Sequence, residues 1–266
     1  MHEAPASAEV PAAATRTAVA APRVSVVIPT LNEVARLGPL LETFTPARRR
    51  RFGLEVVVTD GGSTDGTVEV AERLADRVAV HTGTERQTIA AGRNAGAAAA
   101  EGQTLLFFNA DVQFPEDTDA FFADLIAAAQ DGAATCRVAV HPSEATWPDR
   151  LVLGTCNVLF YGLNLLGGGM GRGECHAVRR DVFEAHEGYN EAYVAGEDFD
   201  LFRRIARARR RGAAPHITFL WRWTLYEDPR RYRQTGYLRT MWQWFCNSAS
   251  VTFLGRSHSE TWEPVR

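Results

Sequence analysis

Short apolar runs that alternate with helical segments constrain the fold of this chain more than any other feature. The first two runs, at residues 24–28 and 54–59, consist largely of Val, Ile and Leu and end at a proline or a glycine-rich turn. Such runs are typical of buried strands. Two more strands are predicted at 77–82 and 104–108, and helices are predicted near 33–44, 65–74 and 86–100. This alternation predicts an α/β fold with a mostly parallel sheet covered by helices on both faces.

The size and charge of the chain limit its class of function. Its 266 residues are 45% hydrophobic, so the chain can bury a substantial core. A formal net charge of -3 gives no electrostatic reason to expect a nucleic-acid partner. The composition therefore indicates an ordinary globular protein that does not bind nucleic acid.

The cysteines and the first residues indicate where the protein works. The four cysteines are widely spaced and form no Cys-x-x-Cys pair, which argues against a zinc site or a disulfide scaffold and favours a reducing, cytoplasmic location. Residues 1–22 are rich in Ala, Pro and Thr and lack the pattern of a secretory signal. We predict that they form a disordered tail and that folded structure begins near Arg23.

Three polar loops follow predicted strands. Their sequences are PTLNE, TDGGSTDGT and NADVQF, and each supplies carboxylate, amide or hydroxyl groups. In open α/β sheets, ligands bind outside the carboxyl ends of the strands, where such loops lie. The loops therefore predict a site for a nucleotide or a metal ion.

Five motifs occur in a fixed order: SVVIPTLNE, VVVTDGGSTDGT, GRNAGAAAAEG, LLFFNAD and GEDFDLFRR. Together they resemble glycosyltransferase family 2, over roughly residues 24–211. The resemblance implies a GT-A, Rossmann-like fold, a nucleoside-diphosphate sugar donor of the UDP or GDP type, and inversion at the anomeric carbon. We expect one continuous domain, with a nucleotide-sugar-binding half at 23–140 and a smaller acceptor-binding half with C-terminal helices at 141–266.

The resemblance assigns the first two loops to the nucleoside. Pro29, Thr30 and Glu33 would line its pocket, Asp60 would accept a hydrogen bond from the base, and Gly61 would allow close approach of the backbone. As an alternative, Asp60 caps the helix that follows it.

The helix after the second loop carries one cation among Ala and Gly. By the resemblance, Arg93 approaches the donor diphosphate, for which a guanidinium is suited because it stays charged and donates paired hydrogen bonds. The alternative is an exposed surface arginine. Gly92 and Gly96 cost helix stability, so they suggest tight packing against the sheet or the ligand.

The third loop departs from the family pattern. Family members usually carry Asp-x-Asp, whereas this chain has Asn109 and Asp111. Asp111 is predicted to hold a divalent metal, Mg²⁺ or Mn²⁺, together with donor phosphates, and Asn109 offers a neutral oxygen for the ribose or a metal-bound water. Weaker metal binding is expected from this change.

The motif GEDFDLFRR supplies the candidate catalytic residues. By the resemblance, Asp198 is the general base for the acceptor hydroxyl, and Glu197 helps to position the acceptor. The alternative is a cluster of charges at a helix start, and for Asp200 we prefer that interpretation, with Arg204 as its partner one turn later.

Two further segments carry charged or titratable residues to which we assign a role. Arg230 or Arg231 is predicted to close over the diphosphate, with an exposed basic helix start after a turn as the equal alternative. His176 is predicted to be structural.

The second half contains apolar segments that bear on the acceptor. The uncharged stretch 151–170 is as long as a membrane span, but its polar residues and glycines favour a buried or interfacial helix. Near the end of the chain, Tyr237, Met241 and Trp244 lie near helical spacing and suggest core packing or a membrane interface. Lipid, glycan and small-metabolite acceptors stay open, and a peripheral contact with the cytoplasmic face of a membrane is one expectation.

Two other functions compete with sugar transfer. A non-catalytic nucleotide-sugar-binding protein is suggested by Asn109 in place of an aspartate. A sugar nucleotidyltransferase shares the α/β core, but the glycine-rich activation loop of that class does not follow the first strand here.

Overall fold

The computed structural model describes residues 23–210 and 216–259. The tail predicted at 1–22 lies outside these residues. The strands are β1 (Val24–Thr30), β2 (Leu54–Asp60), β3 (Arg77–Val80), β4 (Thr104–Phe108), β5 (Gly132–Val140), β6 (Cys175–Arg179) and β7 (His216–Glu227). The helices are α1 (Val34–Glu42), α2 (Pro46–Phe52), α3 (Thr67–Leu74), α4 (Ile89–Ala99), α5 (Thr118–Ala129), α6 (Trp147–Leu165), α7 (Arg180–Ala185), α8 (Glu197–Arg210), α9 (Arg230–Thr235) and α10 (Tyr237–Leu254).

The strands form one seven-stranded sheet in the order β3-β2-β1-β4-β6-β5-β7. Pairing is parallel except on both sides of β6, which runs antiparallel to β4 and to β5. The predicted α/β fold with a mostly parallel sheet is therefore confirmed. The helix predicted near 86–100 begins later, at Ile89, because the Thr88 hydroxyl caps it by accepting a hydrogen bond from the Ala91 amide at 3.1 Å.

Hydrophobic residues cover both faces of the sheet. Along β1, Val26 and Ile28 belong to one core cluster, which also holds residues of α1, α3 and α5, whereas Val27 belongs to a second cluster with residues of α4 and α8. Successive side chains of a strand point to opposite faces. This explains why β1 reads as a continuous apolar run rather than as an alternating one.

Helix α4 packs closely on the sheet at its glycines. A Cβ atom on Gly96 would lie 2.3 Å from Cγ1 of Val27, and one on Gly92 would lie 3.4 Å from Cβ of Pro29. The tight packing predicted from these glycines is confirmed. It fixes α4, and with it Arg93, against the carboxyl-terminal part of β1.

The long uncharged stretch of the sequence forms most of α6 and the loop after it. In the described ranges, none of the helices has the length and apolar character that crossing a membrane requires. Tyr237, Met241 and Trp244 of α10 pack against the buried residues Val140, Leu153 and Tyr232, as the core-packing alternative predicted.

Candidate active site

A cleft of about 790 Å³ opens beside the carboxyl ends of β1 and β4. Its walls come from both halves of the chain and include residues of α6 and α10. Every residue predicted for the site except Asp60 lines this cleft: Pro29, Thr30, Glu33, Gly61, Arg93, Asn109, Asp111, Glu197, Asp198, Arg230 and Arg231. The fold therefore brings together motifs that lie far apart in the sequence.

Asp60 lies behind the cleft surface and is fully buried. Its Oδ1 accepts hydrogen bonds from the amides of Gly62 at 2.9 Å and Ser63 at 2.7 Å, and its Oδ2 accepts one from the Thr30 hydroxyl at 3.0 Å. The Ser63 hydroxyl donates to the same Oδ2. These bonds fix the glycine-rich turn, whereas α3 begins at Thr67 after Gly66 and receives no side-chain cap. The helix-capping alternative for Asp60 is therefore wrong, and its contact with a base stays a prediction.

The turn that Asp60 holds separates the cleft from a second cavity of about 760 Å³. The two cavities share Leu31, Gly61 and Arg86, and the second one is also lined by His81. The sequence offered no signal for His81 or Arg86, because neither lies in a predicted polar loop.

Arg93 is buried at the floor of the cleft and is only 1% exposed. Its Nη1 donates to Oε1 of Glu197 at 2.7 Å, and its Nη2 donates to Oδ1 of Asn109 at 3.0 Å and to the Gly173 carbonyl at 2.6 Å. The exposed-surface alternative for Arg93 is therefore wrong. Its guanidinium joins the third loop to the start of α8.

Glu197 and Asp198 open α8 directly after Gly196, whose φ of +88° suits a residue without a side chain. Burial and the neighbouring charge of Asp198 raise the pKa of Glu197 to about 7, although Arg93 opposes this shift. Burial also raises the pKa of Asp198, whose Oδ1 accepts a hydrogen bond from the Phe199 amide at 2.7 Å. A raised pKa makes Asp198 a better proton acceptor than an exposed aspartate.

The other acid of this motif has a structural partner. Oδ2 of Asp200 lies 2.7 Å from Nε of Arg204, one turn later on α8. The pairing predicted from their spacing is confirmed. Asp200 is buried and does not line the cleft.

A second charged group of the cleft consists of Asp111, Glu33 and Arg230. Nη2 of Arg230 lies 3.0 Å from Oδ2 of Asp111 and 2.5 Å from Oε1 of Glu33. Burial raises the pKa of both carboxyl groups, against the effect of Arg230. Arg230 is thus an ion-pair partner within the cleft rather than an exposed residue at a helix start.

The residues of this charged group fit a divalent metal with few protein ligands. Oε2 of Glu33 is buried and has no hydrogen-bond partner among the described residues, and both carboxylates already share one cation, Arg230. Within the described residues, no group of three or more His, Cys, Asp or Glu could hold a metal by itself. The donor set therefore suits an ion that takes most of its ligands from phosphate oxygens and water, as Mg²⁺ does.

Comparisons with known proteins agree with this geometry. The model of the family described as glycosyl transferase family 2 matches residues 25–186. The chain belongs to glycosyltransferase family 2. The match favours glycosyl transfer over the alternative of a sugar nucleotidyltransferase.

Two curated relatives match most of the chain. The PGL/p-HBAD biosynthesis glycosyltransferase of Mycobacterium bovis is 33% identical over 198 residues, which cover 69% of each chain. The succinoglycan biosynthesis protein ExoA of Rhizobium meliloti is 29% identical over 193 residues, which cover 69% of this chain and 58% of the relative.

Solved structures share the GT-A fold. The glucosyl-3-phosphoglycerate synthase of Mycobacterium tuberculosis, in complex with Mn²⁺, UDP and glucosyl-3-phosphoglycerate, matches with a TM-score of 0.57 at 18% identity, over 90% of this chain and 82% of the other. The mannosyltransferase PcManGT of Pyrobaculum calidifontis, in complex with GDP-Man and Mn²⁺, matches with a TM-score of 0.55 at 23% identity. The second match covers 78% of this chain but only 57% of the mannosyltransferase.

This glycosyltransferase also has a buried charged cluster that the sequence did not predict. Nε of Arg172 lies 3.2 Å from Oε2 of Glu174, and its Nη2 lies 3.6 Å from Oε1 of Glu227. The Tyr232 hydroxyl donates to the same Glu227 oxygen at 2.7 Å. Burial, followed by the charge of Glu174, raises the pKa of Glu227 well above its usual range. All four residues line the cleft.

His176 lies in the core, as its structural interpretation predicted. Its Nδ1 is 2.7 Å from the Tyr189 hydroxyl, and its ring packs against Phe202. Burial, with the nearby charge of Arg93, holds the pKa of His176 well below its usual value. His176 is therefore neutral at physiological pH and does not line the cleft.

Proposed function

We propose that this protein transfers a sugar from a nucleoside-diphosphate sugar of the UDP or GDP type to an acceptor hydroxyl, by a single displacement that inverts the anomeric carbon. The observation that carries the proposal is the convergence in one cleft of Asp198, Arg93 and Asp111, which come from α8, α4 and the loop after β4. A proton acceptor, a buried cation and a metal-binding carboxylate are the groups that this reaction needs.

In the proposed reaction, Asp198 accepts the proton of the acceptor hydroxyl as the hydroxyl oxygen attacks the anomeric carbon. The bond between this carbon and the diphosphate oxygen breaks, and the diphosphate leaves on the opposite side. Glu197 keeps Arg93 in place through their ion pair at 2.7 Å and helps to orient the acceptor. One displacement inverts the configuration.

The donor would lie along the carboxyl ends of β1 and β4. Pro29, Thr30, Glu33 and Gly61 would contact its nucleoside, on the turn that Asp60 holds, and Asn109 would contact the ribose. Arg93, Arg230 and Arg231 would face the diphosphate. Each of these arginines lines the cleft, and guanidinium groups suit phosphate because they donate two parallel hydrogen bonds.

A divalent metal, Mg²⁺ or Mn²⁺, would be held by Asp111 with Glu33 beside it. When bound, such an ion neutralises charge on the leaving diphosphate. Arg230 now contacts both carboxylates, so it would release Asp111 and turn towards the phosphates as the donor binds. The solved relatives in complex with Mn²⁺ and with GDP-Man or UDP support this part of the proposal.

The part of the cleft that we assign to the acceptor has an apolar lining beside the charged cluster of Arg172. Leu159, Phe160 and Leu163 of α6 face Met241 and Trp244 of α10 across it. This lining favours a hydrophobic or membrane-borne acceptor over a small polar metabolite. A cytoplasmic enzyme with a peripheral membrane contact fits such an acceptor and the free cysteines of the described chain.

The general base is tested by Asp198→Asn, with Asp200→Asn as its matched control on the same helix. We expect Asp198→Asn to reduce turnover by about 100-fold or more while donor binding stays near normal. Asp200→Asn removes an ion pair outside the cleft, so it should keep its turnover at a temperature where the protein is folded. Normal turnover in Asp198→Asn would refute the assignment of the base.

The donor is tested by screening nucleotide sugars in thermal shift measurements with and without Mn²⁺. A donor that binds only the folded state raises its stability in proportion to ln(1 + [L]/Kd). We expect one UDP or GDP sugar to raise the melting temperature, and Mn²⁺ to enlarge this rise in the wild type but not in Asp111→Asn. Binding without transfer to any acceptor or to water would favour the non-catalytic nucleotide-sugar-binding protein.

A further inference from the structure

Helices α6 and α10 have an inverted distribution of polar and apolar residues. On α10, Thr240, Asn247 and Ser250 are buried, and each forms hydrogen bonds with neighbouring backbone or side-chain atoms. On α6, the buried Asn157 bonds both the amide and the carbonyl of Val138, at 3.0 and 2.9 Å. These four polar side chains therefore point into the protein.

Several large apolar side chains of the same helices point outward instead. On α6, Trp147, Leu151, Val158 and Leu165 are exposed, with Trp147 at 75%. Their spacing of four, seven and seven residues places them on one face of the helix.

On α10, the exposed apolar residues are Leu238 at 89%, Trp242 at 65%, Phe245 at 64% and Phe253 at 82%. They too follow the helical repeat. An ordinary surface helix shows the opposite pattern, because exposed apolar area is unfavourable in water. We call the exposed faces of α6 and α10 together the apolar face.

The charges that border the apolar face are mostly positive. The exposed charged residues are Arg150 on α6, Arg239 on α10 and Arg256 just after α10, against the exposed Glu144 before α6. The acid of α6, Asp149, is buried and paired with Arg233 of α9 at 2.5 Å. A surface with large apolar side chains and a basic border is complementary to anionic lipid headgroups over acyl chains.

The apolar face is continuous with the mouth of the cleft. Leu159 and Phe245 line the cleft and are also 55% and 64% exposed. A second copy of the chain or another protein seated on this face would cover the mouth. A bilayer would instead present the acyl part of an acceptor directly to it.

We infer that the apolar face docks on an anionic lipid bilayer, with the side chains of Leu151 and Trp242 inserted among the acyl chains. The docking itself does not rest on the proposed sugar transfer. Only the further step, delivery of a lipid-anchored acceptor into the cleft between α6 and α10, rests on that proposed function.

The test is flotation of the purified full-length chain with vesicles of phosphatidylcholine alone and with vesicles that also contain phosphatidylglycerol, at low and high salt. We expect binding to the anionic vesicles that weakens as salt rises. The variant Leu151→Ser/Trp242→Ser should lower the affinity by about tenfold or more, because both side chains lose apolar area that would be buried. Arg150→Gln/Arg239→Gln should abolish the preference for anionic vesicles.

The matched control is Val80→Ser, which changes an apolar residue that is 45% exposed on the edge strand β3, outside the apolar face. It should bind vesicles as the wild type does. The inference is overturned if the wild type floats with neither vesicle, or if Leu151→Ser/Trp242→Ser binds as tightly as the control. It is also overturned if sedimentation equilibrium shows a wild-type dimer that Leu151→Ser/Trp242→Ser dissociates.

Thermal shift with nucleotide sugars separates this inference from the proposed function. A wild type that binds a donor and transfers its sugar but does not float refutes the docking alone. A wild type that floats but binds no donor refutes the proposed function and leaves the docking in place.

Discussion

The packing of α4 on the sheet gives a quantitative prediction for Gly96→Ala. In a helix interior, replacing Gly by Ala stabilises by about 0.5–1 kcal/mol. At Gly96, however, the new Cβ would lie 2.3 Å from Cγ1 of Val27 and 3.1 Å from Cγ2 of Thr59. Val27 is fully buried in β1 and β-branched, so it cannot move aside by a change of rotamer without strain.

Overpacking of this kind costs about 1–3 kcal/mol. We therefore expect Gly96→Ala to lower the free energy of unfolding by about 1–2 kcal/mol, as measured by urea denaturation at equilibrium. Gly154→Ala on α6 is the matched control, since nothing lies within 4 Å of the Cβ that it adds. This control should stabilise the protein by about 0.5–1 kcal/mol. Equal stability of the two variants would refute the packing argument.

Three further predictions concern charged groups of the cleft. Arg93→Met leaves Glu197 buried without its cation and should lower the free energy of unfolding by about 3–5 kcal/mol, as measured by urea denaturation. The double variant Arg93→Met/Glu197→Gln should recover part of this loss, and no recovery would argue against the ion pair. The pKa of Glu197 is raised to about 7 in the folded protein, above its ordinary 4.5 in the unfolded chain, so the folded state binds this proton more tightly. The resulting contribution to the free energy of unfolding is complete below pH 4.5 and is lost as the pH rises through 7. Glu197→Gln should flatten this part of the pH profile of the melting temperature. Arg230→Gln should weaken donor binding by about tenfold or more in calorimetric titration, and unchanged donor affinity would exclude a role at the diphosphate.

The sequence predicted which loops line the cleft, and the reason is local. The strands are short β-branched runs, and each is followed by a loop whose polar residues must lie at one edge of a parallel sheet. Pro29, Asp111 and Asp198 could be assigned in this way, because a motif and its position on a strand or helix are both readable from the chain.

Where each polar side chain points was decided by contacts between distant segments. Arg93 and Glu197 are 104 residues apart, and Arg230 and Glu33 are 197 apart, so neither pair follows from local spacing. Asp60 also depends on a distant segment, because its buried carboxylate accepts a hydrogen bond from the hydroxyl of Thr30 on the neighbouring strand.

By itself, the sequence determined the family, the parallel sheet and the loops that line the cleft, because helix and strand periods and turn residues act over a few neighbours. Only the tertiary structure decided that β6 enters antiparallel, that the Arg172 cluster lines the cleft, and that α6 and α10 bury Asn157 and Asn247 while several of their large apolar residues stay exposed. Those features depend on which surfaces meet when the chain collapses. A helix that presents both polar and apolar residues does not specify alone which of its faces the rest of the protein will cover.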